Sequence, residues 1–195
     1  MHSRTLSIIS LLFLFSCVSQ PAQRLSKDDL SITRKGASSL VVVHSRSGFT
    51  AAAGLEISRA LQADYIRLVV PEGAGDSYLK SPDREENVPV APAKIDLARY
   101  RLIFLGSPIW WWHATPYIYS FIRKNDFTGK RVVLFYTNQG GIDKDAVDEW
   151  KKLVASKNGQ VVDVMAINRK ELKDESVQSA ASKIIALKKA AWLEE

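Results

Sequence analysis

Residues 40–61 read LVVVHSRSGFTAAAGLEISRAL: an apolar run, a small polar loop and a helical stretch in immediate succession. Leu40–His44 is continuous and β-branched, the composition of a strand covered on both faces. Thr50–Leu61 sets Ala53, Ile57, Ala60 and Leu61 along one side of a helix. The same alternation repeats downstream. Tyr65–Val70 (YIRLVV), Leu102–Gly106 (LIFLG), Arg131–Thr137 (RVVLFYT) and Gln160–Ala166 (QVVDVMA) read as strands, and Thr115–Lys124, Asp143–Ser156 and Lys173–Leu193 as helices. Strands alternating with helices predict parallel crossovers. The expected fold is α/β, a three-layer doubly wound five-stranded parallel sheet in the order 2-1-3-4-5. In such a sheet a ligand binds beyond the carboxyl ends of the strands, where strands 1 and 3 diverge.

The chain has 195 residues, 46% hydrophobic and 25% charged. That is ordinary globular usage and excludes collagen-like, low-complexity or wholly disordered chains. The length suits one domain. A single cysteine, Cys17, excludes an internal disulfide and a cysteine-rich metal site. The net charge of +6 raises the possibility of nucleic acid or an anionic membrane. No dense Lys/Arg stripe interleaved with aromatics is present, so no nucleic-acid partner is expected.

The first residues read as an address. Arg4 precedes the apolar run Leu6–Phe15, which at helical rise spans about 15 Å, half of a hydrocarbon core. A basic start and a short apolar core are the pattern of a secretory signal over residues 1–16. Leu14-Phe15-Ser16-Cys17 resembles the bacterial lipoprotein cleavage box, which implies lipidation at Cys17 and an exported protein anchored in a bacterial cell envelope. Residues 17–39 lack apolar periodicity and read as a flexible tether, with a domain over 40–195.

Three loops fall at the expected ligand edge. Ser45-Arg46-Ser47-Gly48-Phe49-Thr50 follows the first strand. It supplies hydroxyls, a glycine that permits close approach, and the free N–H groups of a helix start, which together suit a phosphate monoester. Pro108-Ile109-Trp110-Trp111-Trp112-His113 follows the third strand. Successive side chains of an extended segment alternate, so three consecutive indoles cannot all point inward, and at least one should be exposed for a planar aromatic ligand. Thr137-Asn138-Gln139-Gly140-Gly141 follows the fourth strand and offers amides on a flexible turn.

These loops, with Tyr100–Trp111 (YRLIFLGSPIWW) and Gly129-Lys130-Arg131, resemble the flavodoxin family, especially its bacterial members with a Gly-Ser-Pro-Ile-Trp-Trp loop. The likeness runs from about Leu40 to the C-terminus. It implies flavin mononucleotide (FMN) as cofactor. Ser45, Ser47 and Thr50, with the backbone at Arg46, Gly48 and Phe49, would hold its phosphate. Pro108, Ile109, Trp110 and Trp111 would line the ring, with Trp112 beside them. Thr137, Asn138, Gln139, Gly140 and Gly141 would close over its polar edge. The chain departs from the family at Phe49, where Asn is common, and at Trp112-His113, where Gly often follows the Trp pair.

The resemblance implies electron transfer through bound FMN, with a redox partner protein or a small-molecule acceptor. Two alternatives stand beside it: an FMN-dependent NAD(P)H:quinone-type reductase, and a non-enzymatic binding lipoprotein on a degenerate flavodoxin scaffold. No catalytic residue is assigned, although His113 is placed to serve as a proton donor. His2, His44 and His113 form no metal-ligand spacing, and no His-Glu-x-x-His or Gly-x-Ser-x-Gly motif occurs, so no metal is expected.

Overall fold

The computed structural model describes residues 31–70, 88–141 and 144–194. The signal segment, Cys17, tether residues 18–30 and Asp143 lie outside the described residues. In chain order the elements are β1 (Ser31–Ile32), β2 (Ser39–His44), α1 (Phe49–Leu61), β3 (Asp64–Leu68), β4 (Leu102–Trp110), β5 (His113–Ala114), α2 (Pro116–Lys124), β6 (Arg131–Asn138), α3 (Lys144–Ala155), β7 (Gln160–Asn168) and α4 (Val177–Leu193). The five long strands are parallel and lie in the order β3-β2-β4-β6-β7, so the chain winds outward in both directions from β2 and β4.

The alternation of side chains splits the buried apolar residues between two faces. Leu40, Val42, Ile103, Leu105, Val132 and Leu134 share one core, which includes Ile118, Phe121 and Ile122 of α2 and Trp150 and Val154 of α3. Val41, Val43, Phe104, Val133 and Phe135 share the other, with Ala53 and Ile57 of α1 and Ala181, Ile185 and Trp192 of α4. The expected three-layer α/β architecture is therefore present. A bulge at Val132/Val133 in the β6–β7 pairing slips the register by one residue. Asp163 then meets α4, accepting hydrogen bonds from Lys188 Nζ at 2.7 and 2.8 Å and from Trp192 Nε1 at 2.6 Å. Burial alone would raise the Asp163 carboxyl pKa; these bonds hold it below its ordinary value.

Two short strands extend the expected five. β1 pairs antiparallel with β3, Ser31 opposite Ile66 and Ile32 opposite Tyr65. Arg34 N–H donates to Asp64 Oδ1 at 2.6 Å, and its guanidinium reaches Ser58 Oγ at 2.9 Å and the Ala63 carbonyl. The tether expected over 17–39 thus meets the domain by Ser31. The stretch is too short and polar to show a periodicity, and its hold on β3 comes from backbone pairing and one arginine. The other addition, β5, pairs with the end of β4, which continues four residues beyond the expected Gly106.

Glycines bring α1 and β4 close to their neighbours. A methyl group on Gly54 would lie 3.2 Å from the Phe135 ring and 3.3 Å from both Tyr65 and Val41; on Gly106 it would fall 2.1 Å from Phe135 Cζ. The Phe135 ring occupies the space these two residues leave. This close packing fixes where the first turn of α1 stands at the sheet edge.

Candidate functional site

The carboxyl ends of β2, β4 and β6 are neighbours, with Val43 opposite Gly106 and Pro108 opposite Thr137. The three loops predicted from sequence therefore open at one edge, where β2 and β4 carry the chain in opposite directions across the sheet. In the first loop, Ser45 is buried and its carbonyl accepts from Arg67 Nη2 at 2.8 Å. Arg46 and Ser47 are exposed. Gly48 is the N-cap of α1 with φ of 91°, in the left-handed region that favours glycine, and nothing lies within 4 Å of where its Cβ would be. No side chain caps this helix, and no acidic residue stands in its first turn. The opening N–H groups and positive dipole end are thus presented to an anion.

Thr50 and Thr137, expected at opposite ends of a cofactor, touch each other: their hydroxyls are 2.7 Å apart and buried. One hydroxyl donates and the other accepts, so the pair ties the first loop to the third. Asn138 Nδ2 donates to the Gly140 carbonyl at 2.9 Å, which curls the third loop, and Asn138 Oδ1 is buried with no partner among the described residues. Gln139, Gly140 and Gly141 are exposed.

The tryptophan loop is a tight β-hairpin. Ile109 pairs with Ala114 and Trp110 with His113, leaving Trp111 and Trp112 as the two turn residues. Their φ values are 49° and 66°. Positive φ at both central residues is the type I′ geometry that matches strand twist and usually selects Asn-Gly. Trp111 is 54% exposed and Trp112 59%, while Pro108, Ile109 and Trp110 are half-buried. At least one exposed indole was expected at this edge, and two of the three are exposed. His113 faces α3, with Nδ1 3.8 Å from Glu149 Oε2.

A polar chain beneath the hairpin fixes it to the first loop. His44, the last residue of β2, is buried, with Nδ1 3.0 Å from Thr115 Oγ1. Thr115 Oγ1 is 3.0 Å from Ser107 Oγ, and Thr115 N–H donates to Ser107 Oγ at 2.9 Å. Thr115 is the N-cap of α2, but it spends its hydroxyl on this chain and makes no side-chain cap bond. The His44 ring packs against Tyr117 at 4.5 Å and edge-on to Trp110 at 5.5 Å. Burial, with the nearby positive charge of Arg67, lowers the His44 pKa from 6.5 to about 3, so the imidazole is neutral at ordinary pH.

Arg169, just beyond β7, joins the site without having been expected there. Its N–H donates to the Asn138 carbonyl at 2.9 Å, and its guanidinium lies 3.4 Å from the centroid of the Phe49 ring. With the Gln139 amide turned to suit, Gln139 Oε1 accepts from both terminal nitrogens at 3.2 and 3.0 Å. Burial lowers the Arg169 pKa from its ordinary value. The sequence signal was slight: a lone arginine ending a strand whose neighbour ends in a ligand loop.

The arrangement suits a flat ring carrying an anionic tail. The open helix start and the exposed loop hydroxyl provide donors for the tail, and the indoles and loop amides provide surface and hydrogen bonds for the ring.

Comparisons with known proteins agree with this geometry. The flavodoxin family profile matches residues 38–178. A protein of Bacteroides uniformis assigned as a flavoprotein has 24% identity and a TM-score of 0.62, over 78% of this chain and 99% of its own. A similarly assigned protein of Bacteroides eggerthii has 21% identity and a TM-score of 0.60, over 77% and 97%. A flavoprotein from Lactobacillus acidophilus, solved in complex with FMN, has 21% identity and a TM-score of 0.56, over 67% and 93%. No curated protein matches the chain. With its fold, its three loops and the profile match in agreement, the chain belongs to the flavodoxin family.

Proposed function

We propose that this chain binds FMN at the β2/β4 edge and serves as an electron carrier attached to a bacterial envelope through Cys17. The observation that carries the reading is the meeting, at one sheet edge, of an uncapped helix start at Gly48 with the exposed indoles of Trp111 and Trp112. FMN bound there supplies the redox chemistry. The residues of the chain bind and orient it. Ser47 and the opening N–H groups of α1 hold the phosphate, and Trp111, with Trp112, covers ring surface. Asn138 Oδ1, buried and without a partner among the described residues, is an acceptor available to a ring N–H. The Thr50–Thr137 bond keeps the phosphate and ring loops in register. His44 stays neutral and holds the hairpin through Thr115, moving no proton.

The reading is tested by adding FMN to the purified chain carrying Cys17→Ala, which keeps it free of lipid. The expected result is one FMN per chain with quenched flavin fluorescence, followed by reduction with dithionite and reoxidation by an added acceptor. Failure to take up FMN would overturn the reading. Reduction by NADH or NADPH at a steady turnover would assign a reductase in place of a carrier. For the anchor, the natural chain in a bacterial host should take up labelled fatty acid and Cys17→Ala should not.

A further inference from the structure

The start of α1 carries an electrostatic conflict. A helix N-terminus favours anions, and cations there are unfavourable. Yet Arg46 lies in the loop, Arg67 donates to the Ser45 carbonyl, and Arg169 rests on the ring of Phe49, the first residue of α1. No carboxylate stands in the first turn, and none of these arginines makes a salt bridge among the described residues. Arg46 is exposed and screened by solvent. Arg169 is partly buried; its backbone N–H is fixed on the Asn138 carbonyl, and its guanidinium is held by the Phe49 ring face and the Gln139 amide. Arg67 is also partly buried, but its guanidinium is engaged by the Ser45 carbonyl; Arg169 is the fixed, poorly screened charge that sits on the first residue of the helix.

We infer that Arg169 is the specificity-determining residue that matches this loop to a phosphate ester, so that the protein takes the phosphorylated flavin in preference to the uncharged one. The inference rests on the FMN reading and deepens it. Where the family commonly has a polar Asn, this chain has Phe49. An aromatic ring cannot hydrogen-bond a phosphate, but its face holds a guanidinium by cation–π attraction. The lost polar contact is thus replaced by a positive charge delivered from the end of β7. Coulomb attraction from a half-desolvated cation acts on the anionic tail and hardly on the neutral ring system.

The test is the ratio of FMN to riboflavin affinity, measured by flavin fluorescence in Cys17→Ala and in the same chain with Arg169→Met or Arg169→Lys. Arg169→Met keeps the bulk over Phe49 and removes the charge. It should weaken FMN about tenfold or more and riboflavin less than about threefold. The dependence of FMN affinity on salt should flatten in the same variant. Arg169→Lys should recover part of the FMN preference. Equal loss for both flavins, or a Lys variant no better than Met, would overturn the inference while leaving FMN binding itself intact. Absence of FMN binding in the parent chain would instead be a failure of the function reading. The urea midpoint of each flavin-free variant, within about 0.5 M of the parent, serves as the check that it is folded.

Discussion

Lowering the pH should weaken this protein well before its carboxylates protonate, and the cause is His44. The ring is buried against Tyr117 and Trp110 and is neutral, with a pKa lowered from 6.5 to about 3. Between those values the unfolded chain takes up a proton that the folded one refuses, so stability is fully present above pH 6.5 and falls as the pH is lowered. Each pH unit inside the window costs about 1.4 kcal/mol. The loss is about 2 kcal/mol by pH 5 and approaches 5 kcal/mol near pH 3. Urea titrations at fixed pH values from 7.5 to 5 would show the midpoint falling by about 1 M across that range. The decisive comparison is His44→Asn, which titrates nowhere in the window. It should be less stable at pH 7.5, having lost ring packing, but its midpoint should stay nearly level down to pH 5. If it falls as steeply as the parent, His44 is not the source and its burial is not what excludes the proton. The network gives this a functional side: a charged His44 would disturb the Thr115–Ser107 chain beneath the hairpin.

Gly106→Ala would put a methyl group 2.1 Å from Phe135 Cζ and should cost about 1–3 kcal/mol in denaturant unfolding, with Phe135→Leu in the same chain recovering part of the loss. Replacing the turn residues together, Trp111→Asn with Trp112→Gly, should raise the stability of the flavin-free protein by about 1 kcal/mol because both positions have positive φ. The same double change should weaken FMN; a variant that binds as tightly as the parent would remove the indoles from the ring site. Asp64→Ala deprives the Arg34 N–H and the Tyr100 hydroxyl of their acceptor, and should cost about 2–3 kcal/mol and make residues 31–38 susceptible to protease.

The alternation of apolar runs with helical stretches was enough, by itself, to set the fold. A run such as Leu40–Val43 is apolar at every position because both sheet faces are covered, here by helices on each side. That three polar or aromatic loops share one sheet edge was equally legible, since each follows directly from one of three neighbouring strands. What the sequence could not show were contacts between residues far apart in the chain. Thr50 meets Thr137, His44 meets Thr115, and Arg169 meets Phe49 only because parallel strands bring their carboxyl ends to one edge. A hydroxyl or a guanidinium has no periodicity that announces its partner, so its role is decided by which neighbour the sheet order supplies. The Trp111–Trp112 turn is of the same kind. Local preference argues against tryptophan at positive φ, and the pairing of Trp110 with His113 holds it there nonetheless.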